Sequence, residues 1–209
     1  MTKTVYTRGE LIRRVARALS GSGLTYAIGG ATAMGAAGYR RSTRDVDVFV
    51  FERDLNALMH RLHTFGGLDT FAVMEPSHYA AKIPGDPDPE RRVDVLVPFS
   101  EPELSAIEFP NQWRKKRPLH VFQPTLLALT KFYAYDDSKD VRHANDLQAM
   151  YKRGLFDVVA ARGMIQSVDP GRVRAYDKLI RSFQAQAQAA RRPARPRPTR
   201  RFPRQTGGT

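Results

Sequence analysis

Residues 26–50 read Y-A-I-G-G-A-T-A-M-G-A-A-G-Y-R-R-S-T-R-D-V-D-V-F-V, and this stretch decides the fold. Residues 24–28 are apolar and predict a buried strand, which the glycine pair Gly29-Gly30 ends. Residues 31–38 are small and favour a short helix, and residues 39–44 form a polar turn. A second apolar strand is predicted over residues 45–51, so the segment is a strand–helix–strand unit.

The second strand carries two carboxylates, Asp45 and Asp47. Alternate residues of a strand point to the same face, so both acids project together while the intervening valines face a core. Asp94 has the same setting, V-D-V, in the apolar run 93–97. If the two strands are neighbours, three carboxylates converge, and oxygen ligands of this kind suit Mg²⁺. Three acids can hold two ions about 3.5–4 Å apart, the arrangement used for in-line phosphoryl chemistry. One ion would carry a nucleoside triphosphate (NTP), and Asp94 would assist as base toward an acceptor hydroxyl.

Phosphate-binding groups flank these acids in the sequence. Backbone N–H groups at a strand-to-helix turn such as Gly29-Gly30 bind phosphate well. Ser42 and Thr43 add hydroxyl donors, and Arg44, with the two arginines before Ser42, adds positive charge. The predicted nucleotide-binding residues here are therefore Gly29, Gly30, Ser42, Thr43 and Arg44.

Each feature also has a purely structural interpretation. A glycine pair is usually a turn, a D-x-D pair usually lies at a strand edge, and Asp94 could pair with Arg91 or Arg92. The order of the pieces favours the combined site, because three acids on apolar strands cost stability unless a bound partner offsets it.

The remaining pattern predicts an α/β (α+β) fold with a mixed sheet flanked by helices, followed by a C-terminal helical part. A helix follows Thr7, which begins a capping box with Glu10. The predicted boundaries are residues 1–122 for the sheet-containing core, 123–190 for the helical part and 191–209 for a disordered tail. Further predicted helices cover residues 54–65, 101–108, 124–135, 140–152, 155–162 and 172–190. Further predicted strands cover residues 70–74, 79–83, 92–97 and, at an edge, 118–122.

Composition limits the compartment and the partners. The chain has 209 residues, no cysteine and a formal charge of +13, with a pI near 10.4. Residues 191–204 hold seven arginines and no acid, and the rest carries +6. Polyanions are therefore expected partners. No apolar run approaches the ~20 residues that span a membrane, so no membrane partner is expected. The N-terminus lacks an apolar signal core, and a cytoplasmic location is expected by default.

These motifs together resemble the polymerase-β-like nucleotidyltransferase superfamily, in which a glycine turn holds phosphates and three acids bind two Mg²⁺ ions. The segment from Gly29 to Asp47 most resembles the AbiEii-like toxin nucleotidyltransferases. L-L-A-L-T-K, ending at Lys131, and N-D-L, containing Asp146, are similar to the helical half of that group. The resemblance implies that Lys131 and Asp146 help to bind nucleotide or acceptor. Lys82 is a loose match to the family's further basic residue.

The resemblance implies transfer of a nucleoside monophosphate from an NTP to RNA, such as a tRNA 3′ end, or to a protein hydroxyl. It also implies a toxin role with a cognate antitoxin. Two alternatives stay open: a small-molecule, antibiotic-type nucleotidyltransferase, and a non-catalytic nucleic-acid-binding module. No acid-rich segment favours a cationic drug as acceptor, and all three acids are present.

Other polar residues receive structural interpretations first. His60 and His63 lack further ligands nearby in sequence for a zinc site. His143 is expected on a polar helix face. Trp113 and the basic run 114–117 are equally consistent with a solvated loop and a nucleic-acid contact.

Overall fold

A computed structural model describes residues 6–72, 78–113 and 118–191, with the side chains of residues 72, 190 and 191 left out. The helices are α1 (Arg8–Leu19), α2 (Gly30–Ala36), α3 (Glu52–Thr64), α4 (Glu101–Glu108), α5 (Pro124–Ser138), α6 (Val141–Lys152), α7 (Val158–Val168) and α8 (Val173–Arg191). The strands are β1 (Tyr26–Ile28), β2 (Val46–Val50), β3 (Asp69–Ala72), β4 (His78–Lys82), β5 (Arg92–Leu96), β6 (Asn111–Trp113) and β7 (Leu119–Val121). A single 3₁₀ turn, Pro170–Arg172, joins α7 to α8.

The strands form one seven-stranded mixed sheet in the order β3-β4-β5-β2-β1-β7-β6. The pairs β2–β5 and β1–β7 are parallel, and the other neighbours are antiparallel. The predicted class, a mixed α/β sheet flanked by helices, is confirmed. The central pair is β2 and β5, in which Asp47 lies opposite Asp94.

Local sequence explains where several elements begin. The Thr7 side chain accepts a hydrogen bond from the Glu10 N–H and so caps α1, as the sequence predicted. In β2 the three valines are buried and the residues between them are only partly so, which is the alternation expected of a strand with one face on a core. Pro124 occupies the first turn of α5, where its missing N–H costs no hydrogen bond.

The buried apolar side chains form one continuous cluster that includes strands of the sheet and the C-terminal helices. Leu11, Ile28 and Val48 belong to it, together with Phe132 and Tyr176 from α5 and α8. The division at residue 122 into a core and a helical part stays a prediction. None of the helices within the described ranges has the length and apolar character needed to cross a bilayer.

Two sequence predictions about elements were wrong. β7 is not an edge strand, since it lies between β1 and β6, and the edge is the short β6. The helix predicted over residues 155–162 is α7, which starts later and runs to Val168. Asp157 is the reason for the later start, because its side chain accepts from the N–H groups of Val159 and Ala160 and caps the helix. The predicted tail lies outside the described residues from position 192 onward.

Candidate active site

Three carboxylates meet where β2 and β5 run side by side. Asp45 immediately precedes β2, Asp47 lies within β2, and Asp94 is its direct neighbour in β5. One carboxylate oxygen of each lies within 4.8 Å of the others. The structure therefore brings together the three acids that the sequence predicted as catalytic and metal-binding residues. Within the described ranges, they are the only group of three or more acidic or histidine side chains arranged to hold a metal ion.

The carboxylate of Asp47 is electrostatically strained in the absence of a cation. Burial raises its pKa to about 6, and the negative charges of Asp45 and Asp94 add to the increase. Lys131 and Arg41 act in the opposite direction. A partly buried acid beside two other acids destabilises the fold when it is ionised, unless a bound cation compensates for the charge.

Asp94 is the most strongly hydrogen-bonded of the three. Its Oδ1 accepts a hydrogen bond from Arg92 Nε at 2.7 Å and lies 2.8 Å from His78 Nε2. The structural interpretation of Asp94 as a partner of Arg92 is thus correct for one oxygen. Arg91, the other candidate, instead pairs with Asp86 and Asp88.

The glycine pair packs directly against the acidic strand. Gly29 donates its N–H to the Asp47 carbonyl at 3.0 Å and is the N-cap of α2. That N–H is therefore engaged by the sheet, and the N–H groups left for a phosphate begin with Gly30 at the start of the helix. Gly30 has φ +53°, and a Cβ on it would lie 1.7 Å from Asp47 Oδ2. Only glycine fits both the backbone conformation and the contact with Asp47.

The loop over residues 39–44 closes the other side of the site. Thr43 Oγ1 donates to Asp45 Oδ1, so this hydroxyl orients an acid. Arg44 is exposed and pairs with Glu90 at 3.2 Å and Asp88 at 3.5 Å. Ser42, Thr43 and Arg44 line an open cavity of about 470 Å³ together with Asp45 and Asp94, and Arg92 and Arg142 also line it. This cavity gives a substrate access to two of the three acids.

Asp146 and Lys131 belong to one ion cluster beside these acids. The buried carboxylate of Asp146 accepts two hydrogen bonds at 2.8 Å from Arg41 Nη1, and Lys131 Nζ lies 3.4 Å from it. The cluster ties the loop over residues 39–44 to α5 and α6. Asp146 therefore positions two cations, and Lys131 lies close enough to lower the pKa of Asp47.

Two further residues at the site were missed by sequence analysis. Arg8, half-buried at the start of α1, donates to Thr32 Oγ1 at 2.5 Å and to the Asp45 carbonyl at 3.4 Å. His78 contacts Asp94 from the neighbouring strand β4. Both contacts join distant parts of the chain. The one available signal was the period-2 pattern of β4, which places His78 on the same face as the residue paired with Asp94.

The other residues considered from the sequence lie apart from this cluster. His63 Nδ1 lies 3.0 Å from the Leu68 carbonyl and His60 Nε2 lies 3.5 Å from Thr64 Oγ1, so both have local contacts. Lys82 lies opposite Arg92 in the sheet. The pKa of His143 is lowered by burial and then by Lys131. Trp113 lies in the edge strand β6, and the basic run 114–117 is outside the described residues.

A divalent cation fits the donor set. The ligands offered are carboxylate oxygens, which suit Mg²⁺ and not a soft metal. Burial first, and then the negative charges of Asp45 and Asp94, raise the pKa of Asp47, so a bound cation would favour its ionised form.

Comparison with known proteins bears on the architecture. No protein-family model matches the sequence, and no curated protein matches it significantly. The chain is similar to the solution structure of the antibiotic-resistance factor ANT(2'')-Ia, with a TM-score of 0.52 and 18% identity over 86% of this chain and 94% of that one. It is also similar to a crystal structure from H. pylori assigned as a nucleotidyltransferase, with a TM-score of 0.52 and 15% identity over 85% of this chain and 80% of that one. At such low identity the likeness concerns the fold.

Proposed function

Because the chain has the nucleotidyltransferase fold, we propose that it transfers a nucleoside monophosphate from an NTP to an acceptor hydroxyl, and that the acceptor is RNA. The observation that carries the proposal is the convergence of Asp45, Asp47 and Asp94 within 4.8 Å, next to the glycine turn and the ion cluster. The narrower resemblance to the AbiEii-like group stays a prediction.

The three aspartates would hold Mg²⁺, with room in the donor set for two ions. Bound Mg²⁺ would neutralise the triphosphate and lower the pKa of the acceptor hydroxyl. The N–H groups that begin with Gly30 would contact phosphate oxygens, and Lys131 supplies a nearby positive charge. The acceptor oxygen attacks the α-phosphorus, the bond to the β-phosphate breaks, and pyrophosphate leaves. Asp94, which accepts a hydrogen bond from Arg92, would be the group that accepts the hydroxyl proton.

Charge favours RNA over a cationic small molecule as acceptor. The chain as a whole carries +13. Contacts of Lys and Arg to phosphates dominate RNA affinity. The cavity itself is balanced, since Arg44, Arg92 and Arg142 line it with Asp45, Glu90 and Asp94, so the preference for RNA rests on the charge of the whole chain. The antibiotic-type alternative has the fold likeness to ANT(2'')-Ia in its favour and is tested alongside.

The experiment offers the purified chain each α-³²P-labelled NTP with Mg²⁺ and one of three acceptors: total RNA, tRNA with an intact 3′ end, or an aminoglycoside. Asp45→Asn and Asp47→Asn serve as inactive controls, and Asp69→Asn, at a distant edge strand, is the matched acid-to-amide control. Label on RNA from the wild type and Asp69→Asn alone supports the proposal. Label on the aminoglycoside alone would replace RNA with a small molecule. No label on any acceptor, or on the protein itself, would refute nucleotidyl transfer.

A toxin role is a separate proposal that follows from the resemblance. Induced expression of the wild type is expected to arrest growth, and Asp47→Asn is expected to relieve the arrest. Co-expression of a neighbouring reading frame that restores growth would identify a cognate antitoxin. Normal growth with active wild-type enzyme would exclude a toxin role and leave the chemistry intact.

A further inference from the structure

A groove of about 420 Å³ lies between α4 and α7, with α5 as its floor. Leu126, Leu129 and Tyr133 line it from α5 and are spaced i, i+3 and i+7, so they form one stripe along that helix. Both α4 and α7 pack on α5 and supply the two walls. The groove therefore has the form that a further helix, lying along α5, would fill.

Three exposed apolar side chains border this groove. Phe109, which follows α4, is 62% exposed, and Met164 and Val168 of α7 are 42% and 50% exposed. Single exposed apolar residues are common, as at Val159 of α7, which does not line the groove. Several that converge on one groove form a patch, and patches of this kind mark interaction surfaces.

The charge beside the groove is negative, although the chain carries +13. Helix α4 contains three glutamates and no basic residue. Glu103 completes the capping box of α4, where its carboxylate accepts hydrogen bonds from the N–H groups of Phe99 and Ser100. Glu101, which lines the groove, and Glu108 are exposed and form no ion pair with any residue that the structure describes. Their charges are therefore available to a partner.

Basic side chains at this surface are already paired. The guanidinium of Arg172 lies 4.9 Å over the ring of Tyr133, and Arg162 of α7 pairs with Asp177. Arg172 pairs with three carboxylates, those of Asp137 at 2.6 Å, Asp169 at 2.9 Å and Asp136 at 3.4 Å. Even with Lys139, which also pairs with Asp136, carboxylates outnumber cations in this cluster. The surface around the groove therefore favours a positively charged partner and disfavours RNA.

We propose that this groove docks a basic amphipathic helix of a partner protein. The apolar side chains of that helix, spaced i, i+3 or i+4 and i+7, would lie along the stripe on α5. Lys or Arg side chains beside them would meet Glu101 and Glu108. The groove shares no lining residue with the cavity beside the aspartates. Docking needs neither nucleotide nor transfer, so the inference stands apart from the proposed function.

The test measures, by anisotropy, binding of a fluorescein-labelled helical peptide of about 18 residues, with leucines along one face and lysines beside them. A second peptide of the same composition in scrambled order lacks the apolar face. Met164→Lys is expected to weaken binding of the first peptide at least about tenfold, because it places a charge among apolar side chains. Val159→Lys is the matched control, since it makes the same charge change at an exposed position of α7 outside the groove. We expect it to weaken binding less than about twofold.

The contribution of charge is tested separately. Glu101→Gln is expected to weaken binding about threefold and to reduce its dependence on KCl. Glu52→Gln is the matched control, because Glu52 and Glu101 are both exposed glutamates in the first turn of a helix. Folding of all variants is verified by circular dichroism.

Equal weakening by Met164→Lys and Val159→Lys would overturn the proposal, and so would equal binding of the two peptides or no binding of either. A peptide with glutamates in place of lysines that binds as tightly would overturn the basic character of the partner. Self-association of the chain in analytical ultracentrifugation that Met164→Lys abolishes would assign the groove to a second copy of this chain and overturn the partner helix.

Discussion

Replacing Gly30 with alanine tests the contact between the glycine turn and the acids. Gly30 has φ +53°, so alanine there costs about 1–2 kcal/mol of stability from backbone conformation alone. The new Cβ would lie 1.7 Å from Asp47 Oδ2, where ordinary contact begins at 3.4 Å. The carboxylate must therefore withdraw by about 1.7 Å. Since Mg²⁺ holds its ligands at about 2.0–2.1 Å in near-ideal geometry, this displacement would remove Asp47 from the Mg²⁺ coordination proposed above.

We expect Gly30→Ala to lower kcat/KM at least about 100-fold, because misplacement of a reacting group by ~1 Å is enough for such a loss. Stability is measured by urea denaturation, and Mg²⁺ affinity by the Mg²⁺-induced shift in Tm. Gly21→Ala is the matched control: Gly21 has φ +68°, but its added Cβ would have no neighbour within 4 Å. This control should lose a similar conformational free energy and keep its activity. Gly30→Ala activity within about threefold of wild type would refute the proposed placement of Asp47.

Three other substitutions have defined outcomes. Asp47→Asn should abolish transfer yet stabilise the Mg²⁺-free protein at pH 8 by about 1–3 kcal/mol, because the folded pKa of Asp47, about 6, exceeds the unfolded value of about 3.9. The folded state then binds more protons than the unfolded state between pH 4 and 6. The free energy of unfolding of the Mg²⁺-free wild type should therefore fall as the pH rises through this window. A rise owing to Asp47 would contradict the raised pKa of Asp47. Arg8→Lys keeps the positive charge but loses the hydrogen bonds that join Thr32 to Asp45. We expect kcat to drop about tenfold with little change in the free energy of unfolding. A drop in kcat no larger than that of the control Arg17→Lys would show that Arg8 does not belong to the site. Asp146→Asn leaves Arg41 without its carboxylate partner. Urea denaturation should show that the free energy of unfolding falls by about 2 kcal/mol, between the values for exposed and buried ion pairs. An unchanged KM for NTP would limit the ion cluster to a structural role.

The acids of the site could be predicted because each lies on a strand or directly before one whose pattern is unambiguous. Asp45 and Asp47 alternate with buried valines, and Asp94 sits between two more. What the pattern did not contain was the pairing of the two strands, since register depends on backbone hydrogen bonds between segments far apart in sequence. The prediction that they converge was conditional on that pairing, and the structure supplies it.

Contacts made by single side chains across long separations were not predictable. Arg8 contacts the Asp45 carbonyl from helix α1, and the sequence pattern of α1 identifies only the residues on its buried face. The edge strand β6 was missed for a related reason: its residues are mostly exposed, so it lacks the apolar alternation that identifies a strand. Gly29 was predicted to donate its backbone N–H to a phosphate, but this N–H donates to the Asp47 carbonyl. Such a backbone hydrogen bond between two strands could not be predicted from the sequence.

The parallel pairing of β2 with β5 has a consequence for how the protein refolds. Between these two strands the chain must place α3, β3 and β4, so the acids meet only after a long loop has closed. Antiparallel contacts between segments closer in sequence, such as β3 with β4, face a smaller entropic barrier and should form earlier. A refolding chain would thus regain much of its circular dichroism before it gains any affinity for Mg²⁺. Stopped-flow recovery of a Mg²⁺-dependent signal would time the docking of β5 against β2.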